Sequence, residues 1–185
     1  MLLKDYMKIA GVDEVGVGCL AGPVISAAVV FGNNKSDYIF KDSKKTLEKN
    51  RAIQAKYINQ NFYVGIGIAT PKEIDVLNVL KATHLAMERA ILNLPIKPEK
   101  IIIDGIHVPE NLENAKAIIK GDEHHQEIAA ASIVAKYFRD QLMAKYAQEI
   151  SGYALEKNKG YPTKEHKDAI NYLGYTNIHR KSFKI

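Results

Sequence analysis

The stretch that most constrains the fold is an apolar segment that ends in two adjacent carboxylates. Residues from about 8 to 13 form a run typical of a buried strand, Asp13 and Glu14 close it, and a glycine-rich segment follows up to Pro23. Burying an unpaired carboxylate is costly. Asp13 therefore requires a partner, and three kinds are open: solvent at the strand end, an Arg or Lys, or a divalent cation on which further carboxylates converge.

The composition indicates one globular domain with a sizeable core, since 46% of the 185 residues are hydrophobic and 25% are charged. The formal net charge of +5 favours an anionic partner, but only weakly. A single cysteine, Cys19, excludes an internal disulfide and suits a reducing cytosol. No apolar run is long enough to span a membrane, and residues 1–8 lack the pattern of a signal peptide. We expect a cytoplasmic monomer that does not associate with membranes.

The pattern of apolar residues predicts five strands and four main helices. The strands are expected at about residues 8–13, 24–31, 62–69, 100–104 and 115–120. Because only loops separate the first two, the first three strands should form an antiparallel meander. The helices are expected at about residues 46–60, 71–94, 126–150 and 163–173. His84 lies on the apolar stripe of the second helix and is interpreted as a semi-buried core residue, not as a ligand.

Three of the predicted strands end in acidic residues, namely Asp13–Glu14, Asp104 and Asp122. Strand ends of one sheet lie near each other, so these carboxylates are expected to converge on one rim. Several carboxylates close together need a cation to stay ionised, and oxygen ligands favour Mg²⁺ or Mn²⁺ over zinc. Two such ions would suit phosphodiester hydrolysis. The alternative for any single Asp is that it merely caps a turn.

Seven blocks of the sequence, taken in order, resemble the ribonuclease HII family over nearly the whole chain. They are Gly11–Gly16 with Leu20–Val24, Asp42–Lys45, Asp104–Gly105, Lys120–Asp122, Ala130–Lys136 with Arg139–Asp140, Lys159–Thr163 with His166, and Ile178–Phe183. The resemblance implies an α/β, ribonuclease H-like fold: a mixed five-stranded sheet flanked by helices, with a small helical C-terminal extension. Residues 1–150 would form the catalytic domain and residues 151–185 the extension.

The resemblance also implies an activity and the residues that carry it. The family cleaves the RNA strand of RNA–DNA hybrids and cuts 5′ of single ribonucleotides in duplex DNA, by two-metal-ion hydrolysis that leaves a 3′-hydroxyl and a 5′-phosphate. Carried over to this chain, the catalytic and metal-binding residues, for Mg²⁺ or Mn²⁺, are Asp13, Glu14, Asp104 and Asp122. The substrate-binding residues are Gly16, Val17, Gly18, Ser43, Lys44, Tyr161 and Arg180.

Four basic residues are candidates for holding substrate phosphates, namely Lys44, Lys136, Arg139 and Arg180, but two of them rank lower. Lys136 and Arg139 could instead pin the long helix in place. Asp140 would be structural, because it lies four residues after Lys136 and an ion pair between them explains it.

The chain departs from the family pattern in its glycine loop, where Val17 replaces the usual arginine and Cys19 a common proline. In the family, backbone groups of this loop recognise the 2′-hydroxyl of the ribonucleotide, and this recognition could survive because both glycines remain. The cationic contact of the usual arginine is lost, so we expect cleavage at ribonucleotide junctions with weaker substrate binding or altered preference. Cys19 is not expected to be a nucleophile, since no base accompanies it. The alternatives are a catalytically impaired nucleic-acid-binding member and the sister type, ribonuclease HIII. That type carries an N-terminal domain for which residues 1–7 leave no room.

Overall fold

Five strands form one mixed sheet in the spatial order β3-β2-β1-β4-β5. The computed structural model describes residues 7–33, 36–41, 43 and 46–185. The strands are β1 (Ile9–Val15), β2 (Val24–Val30), β3 (Tyr63–Ala69), β4 (Lys100–Asp104) and β5 (Ala115–Ile118). The first three pair antiparallel, whereas β4 pairs parallel with both β1 and β5. The predicted meander and the predicted mixed five-stranded sheet are therefore confirmed.

Helices cover both faces of the sheet, and their packing is set by alternating residues of the fully buried strand β2. The helices are α1 (Glu48–Asn61), α2 (Pro71–Leu77), α3 (Val79–Leu92), α4 (Gly121–His124), α5 (Gln126–Glu149), α6 (Leu155–Asn158) and α7 (Lys164–Leu173). Ala27 and Val29 pack with residues of α1 and α5, while Ala28 and Val30 pack with residues of α3 and β4. None of the described helices is both long and apolar enough to cross a membrane.

Glycines let the two main helices approach the sheet closely. A Cβ atom at Gly11 would collide with the backbone of α5 at Glu127 and Ile128, and one at Gly67 would collide with the backbone of α3. α3 therefore packs tightly over the face of β3 that carries Gly65 and Gly67. The approach at Gly11 brings the N-terminal half of α5 beside the acidic part of β1.

The structure corrects two of the predicted element boundaries. The helix predicted from residue 71 to 94 is broken at Asn78, whose φ of 69° is left-handed and whose side chain accepts a hydrogen bond from the Lys81 N–H. Leu80, which an unbroken helix from 71 to 94 would place on the buried apolar stripe, is consequently 46% exposed. The strand predicted to reach residue 120 ends at Ile118, because Lys120 is left-handed as well (φ 53°). Lys120 has the left-handed helical angles φ 53° and ψ 42°, which a lysine adopts rarely, and Asn78 combines its positive φ with an extended ψ of 164°, a conformation that residues other than glycine seldom adopt.

The C-terminal residues pack against the segment that follows β1. Tyr153, Leu155, Ile170 and Ile178 form a buried cluster with Leu20, Ala21 and Met143. An isolated antiparallel bridge also joins Ala21 to His179. The tail of the chain thus lies beside the glycine loop, more than 150 residues away in sequence.

Candidate active site

One cavity of about 420 Å³ collects all four predicted acidic residues. Its lining consists of Asp13, Glu14, Val15, Ser43, Asp104, Asp122, Ser132, Lys136 and Tyr161. The four carboxylates come from three separate segments, so only the folded chain brings them together. Asp13 and Glu14 lie within β1, which extends to Val15, and Asp104 is the last residue of β4. Asp122 lies on α4 and not at a strand end, which corrects that part of the prediction.

The parallel pairing of β1 and β4 explains why Asp13 and Asp104 lie close to each other. Parallel strands present their carboxyl ends at the same edge of a sheet, and here Val12 is in register with Ile103. The Asp104 carboxylate accepts a hydrogen bond from the backbone N–H of Gly121 (2.7 Å). That bond fixes the start of α4 and thereby holds Asp122 at the same cavity.

The Asp13 carboxyl lies in a strongly unfavourable position for a charge. It is only 7% exposed, and burial raises its pKa well above the usual range; the charges of Glu14 and Asp104 raise the pKa further. Hydrogen bonds from the Ser132 hydroxyl and from the Glu14 N–H (2.7 Å) offset part of this effect. A cation at the carboxylates would remove the remaining penalty.

The donor set suits a hard divalent cation, because it consists of carboxylate oxygens from four residues and contains no thiolate or imidazole. Within the described ranges, however, no three His, Cys, Asp or Glu side chains are already arranged as a closed metal-binding cluster. The fit to Mg²⁺ or Mn²⁺ therefore rests on the chemistry of the shared cavity and on the disfavoured charge of Asp13.

A series of polar contacts that the sequence did not reveal begins at the Asp13 carboxylate and continues into the protein through Ser132. The hydroxyls of Ser132 and Ser43 are hydrogen-bonded to each other (2.9 Å), and Arg51 donates to the Ser43 carbonyl (2.6 Å). Arg51 also lies 3.6 Å from the Asp140 carboxylate. Ser132 is not among the predicted site residues, although a serine that follows three alanines in α5 indicates that a polar group faces the sheet.

Asp140 makes the predicted ion pair with Lys136, at 2.7 Å. This agrees with the structural role expected for Asp140. Asp42, Lys44 and Lys45, the other members of the block around Ser43, lie outside the described residues.

Arg180 lies under the glycine loop and not on a surface that could meet a phosphate. Its guanidinium is 0% exposed and donates to the carbonyls of Gly16 (2.6 Å), Val17 (2.7 Å) and Gly22 (3.0 Å). The interpretation of Arg180 as a phosphate contact is corrected accordingly, because all of these donors point at backbone oxygens. Arg180 positions the loop instead.

The three loop residues differ in what they contact. Gly16 has a left-handed φ of 91°, which a glycine adopts without strain. The Val17 side chain packs partly buried against a cluster that includes Val24 and Ile74. Gly18 is exposed, its φ is not left-handed, and a Cβ atom there would meet nothing within 4 Å. The fold itself therefore does not require a glycine at position 18.

Tyr161 lines the cavity, with the Lys136 ammonium 5.6 Å from the centre of its ring. The neighbouring Arg139 is fully buried and donates to the carbonyls of Ala21 (2.9 Å) and Lys159 (2.8 Å). It therefore holds α5 in place, which is the alternative to a phosphate contact that the sequence left open.

Cys19 is buried, and burial raises the pKa of its thiol. This agrees with the expectation that Cys19 is not a nucleophile.

Comparisons with known proteins identify the family. A family model described as Ribonuclease HII matches residues 10–185. The Ribonuclease HII of Ruegeria pomeroyi is 49% identical over 182 residues, which make up 98% of this chain and 78% of that protein. Among solved structures, the ribonuclease H2 from Pyrococcus horikoshii OT3 has a TM-score of 0.78 at 26% identity, covering 96% of this chain and 94% of that one.

A more distant structure, Bst-RNase HIII in complex with Mn²⁺, has a TM-score of 0.72 at 20% identity and covers 97% of this chain and 68% of that one. At this identity the likeness shows the shared fold alone, which is the ribonuclease H-like fold. The family model and the close relative go further: the chain belongs to the ribonuclease HII family, the type 2 ribonuclease H enzymes.

Proposed function

We propose that this member of the family cleaves the RNA strand of RNA–DNA hybrids and cuts 5′ of single ribonucleotides in duplex DNA. The products would carry a 3′-hydroxyl and a 5′-phosphate. The observation that carries this proposal is the cavity in which four carboxylates from three segments meet beside Tyr161 and Lys136. Family membership supports the general ribonuclease H activity, and the cavity supports a site that handles a phosphodiester.

The residues proposed to hold two Mg²⁺ or Mn²⁺ ions are Asp13, Glu14, Asp104 and Asp122. When bound, such ions supply Lewis acidity at the phosphodiester and favour ionisation of the attacking water. The protein contributes orientation: the Glu14 N–H and Ser132 fix the Asp13 carboxylate, and the Gly121 N–H fixes that of Asp104. The Mn²⁺ complex of Bst-RNase HIII, which shares the fold, agrees with this choice of metal.

The proposed substrate contacts lie on the rim of the cavity. The exposed backbone at Gly18 allows a ribose to approach closely, and a 2′-hydroxyl is the group that distinguishes RNA from DNA. The Tyr161 ring offers a flat surface for a sugar or base next to the scissile bond. Lys136 adds positive charge beside the cavity, so binding should weaken with increasing salt.

The test is a cleavage assay on two substrates, a duplex with one embedded ribonucleotide and an RNA–DNA hybrid, each with Mg²⁺ or with Mn²⁺. We expect metal-dependent cleavage of both and a 5′-phosphate on the downstream product. Asp13→Asn should abolish cleavage while circular dichroism shows the fold retained. Activity of Asp13→Asn near that of the wild type would overturn the metal assignment.

A member with altered specificity is the second candidate, and Val17 is the observation that favours it. Valine carries no charge, so the loop presents no cation at position 17, and its side chain packs against a cluster that includes Ile74 and Val24. Val17→Arg should lower KM for the single-ribonucleotide duplex several-fold by adding a phosphate contact. If Val17→Arg changes neither KM nor the ratio of cleavage of the two substrates, the departure at position 17 has no functional consequence.

A further inference from the structure

Two buried histidines lie in direct contact behind Tyr161, and neither belongs to the cavity. His166 on α7 and His179 near the C-terminus are 0% and 2% exposed. Their Nε2 atoms are 3.1 Å apart. The Nδ1 atom of His166 lies 2.9 Å from the carbonyl oxygen of Tyr161, and the Nδ1 atom of His179 lies 3.0 Å from the backbone nitrogen of Thr176.

The backbone partners at the two ends of this chain fix the tautomers of both rings. The Thr176 N–H can only donate, and the Thr176 hydroxyl, 2.7 Å from the same ring nitrogen, is able to donate as well, so we assign Nδ1 of His179 as the acceptor and place its proton on Nε2. His179 Nε2–H then donates to Nε2 of His166, whose proton must be on Nδ1. Finally, His166 Nδ1–H donates to the Tyr161 carbonyl, which can only accept. Every bond of the chain runs in one direction, from Thr176 to Tyr161.

This chain of hydrogen bonds requires that both imidazoles are neutral, and the surroundings of the two rings favour the neutral form. Burial lowers the pKa of both rings, and the neighbouring His166 lowers that of His179 further, to about 4. The groups packed against the pair are the rings of Tyr153 and Tyr175, the Thr176 backbone and hydroxyl, and the Tyr161 backbone. A charged imidazolium could not accept from its neighbour, and the chain would break at that ring.

We propose that His179, acting through His166, is a positioning residue that sets the orientation of Tyr161 toward the substrate. The Tyr161 carbonyl is held from one side by the Thr163 N–H (2.8 Å) and from the other by His166. The ring of the same residue forms part of the cavity wall. Loss of the hydrogen bond between His166 Nδ1–H and the Tyr161 carbonyl lets the turn at residue 161 rotate, and the Tyr161 ring moves with it. This inference rests on the proposed contact between Tyr161 and the substrate.

The first measurement is the tautomeric state of the histidines in the wild-type protein. Long-range ¹H–¹⁵N correlation spectra at neutral pH should show His179 protonated on Nε2 and His166 protonated on Nδ1. The opposite tautomer at either ring overturns the directional chain. Since this experiment needs no variant, it decides that step even if a substitution prevents folding.

The second measurement separates a positioning role from a merely structural one. His179→Leu removes the donor to His166, whereas His179→Gln places an amide N–H where Nε2–H was. His179→Leu should lower kcat/KM for the single-ribonucleotide duplex about fivefold to tenfold, the value of one hydrogen bond. His179→Gln should restore kcat/KM to within about twofold of the wild type. His84→Leu, the same change at a half-buried histidine of α3, is the matched control and should leave kcat/KM unchanged.

A double-mutant cycle with Tyr161→Ala completes the test. If His179 acts through Tyr161, His179→Leu should have no additional effect on kcat/KM once the Tyr161 side chain is gone. An equal loss in both backgrounds, or an unchanged kcat/KM for His179→Leu alone, overturns the positioning role. Wild-type cleavage by Tyr161→Ala would instead remove the proposed substrate contact, a failure that the tautomer spectra distinguish from failure of the histidine chain.

Discussion

Arg180 allows the sharpest test of how the glycine loop is built, because its substitution by lysine keeps the charge and removes the geometry. The guanidinium spans three carbonyls, those of Gly16, Val17 and Gly22, and is 0% exposed. Burial lowers its pKa to about 10, which still leaves it charged at neutral pH. A lysine ammonium is a point donor and reaches one of these oxygens well, so two of the three carbonyls lose their bond to a charged donor, and Gly16 keeps only the longer bond from the Cys19 N–H at 3.3 Å.

The expected cost follows from these lost bonds. A hydrogen bond to a charged group contributes about 1.5–3 kcal/mol, so Arg180→Lys should lower the free energy of unfolding by about 3–6 kcal/mol. This is a large fraction of the roughly 5–15 kcal/mol typical of a domain. Urea denaturation followed by circular dichroism measures it. Arg89→Lys is the matched control: Arg89 pairs with Glu73 at 2.7 Å and donates to the Ile68 carbonyl at 2.6 Å, but its side chain is 39% exposed. Because water replaces the lost bonds there, the change should cost only about 1 kcal/mol.

A phosphate contact at Arg180 would give the opposite pattern. Arg180→Lys would then keep both stability and binding, while Arg180→Met would lower the slope of log affinity against log salt concentration by about one unit. We expect the slope to be unchanged and KM to rise, because the loop loses its support. A free energy of unfolding within about 1 kcal/mol of the wild type for Arg180→Lys would refute the loop-positioning role.

Three further predictions test the acids, the loop and the histidine pair. Asp13→Asn should raise the melting temperature of the metal-free protein by a few degrees in calorimetry, since burial and the charge of Glu14 disfavour the ionised carboxyl; a lower melting temperature would contradict this. Gly18→Ala should keep the free energy of unfolding within about 0.5 kcal/mol of the wild type, because a Cβ there meets nothing, yet lower kcat/KM at least about tenfold; unimpaired cleavage would show that no substrate approaches this position. The folded-state pKa of His179, about 4, lies below the ordinary 6.5, so the unfolded chain binds more protons and stability falls as the pH drops through this window. Urea denaturation should show a loss of about 2 kcal/mol between pH 7 and pH 5 that His179→Gln lacks; equal losses in both proteins would show that His179 does not titrate as described.

Local patterns in the sequence determined the elements and the identity of the acids. Alternating and continuous apolar runs predicted all five strands, because strand period and burial are encoded within a few neighbouring residues. Gly65 and Gly67 leave one face of β3 without side chains, and the backbone of α3 packs closely against it. The acidic residues at or near the ends of apolar runs predicted a shared site, and all four line one cavity.

Local patterns failed where a backbone conformation or a distant partner decides the outcome. The apolar stripe of the second helix continues through Asn78, so nothing in the pattern predicts the left-handed residue that divides it. The same holds for Lys120, which ends β5 early and places Asp122 on a helix. In both cases the backbone conformation of a single residue, which the apolar pattern does not encode, sets where the element ends.

The tertiary structure alone decided which polar side chains act on substrate and which act on the protein. Arg180 carries a charge typical of a phosphate contact, yet its partner Gly16 is 164 residues away in sequence and only folding reveals that the guanidinium is buried against it. His166 and His179 likewise acquire defined tautomers only because Thr176 and Tyr161 meet them at opposite ends. A residue type fixes what a side chain is able to do, but burial and long-range contacts select which of those interactions it makes.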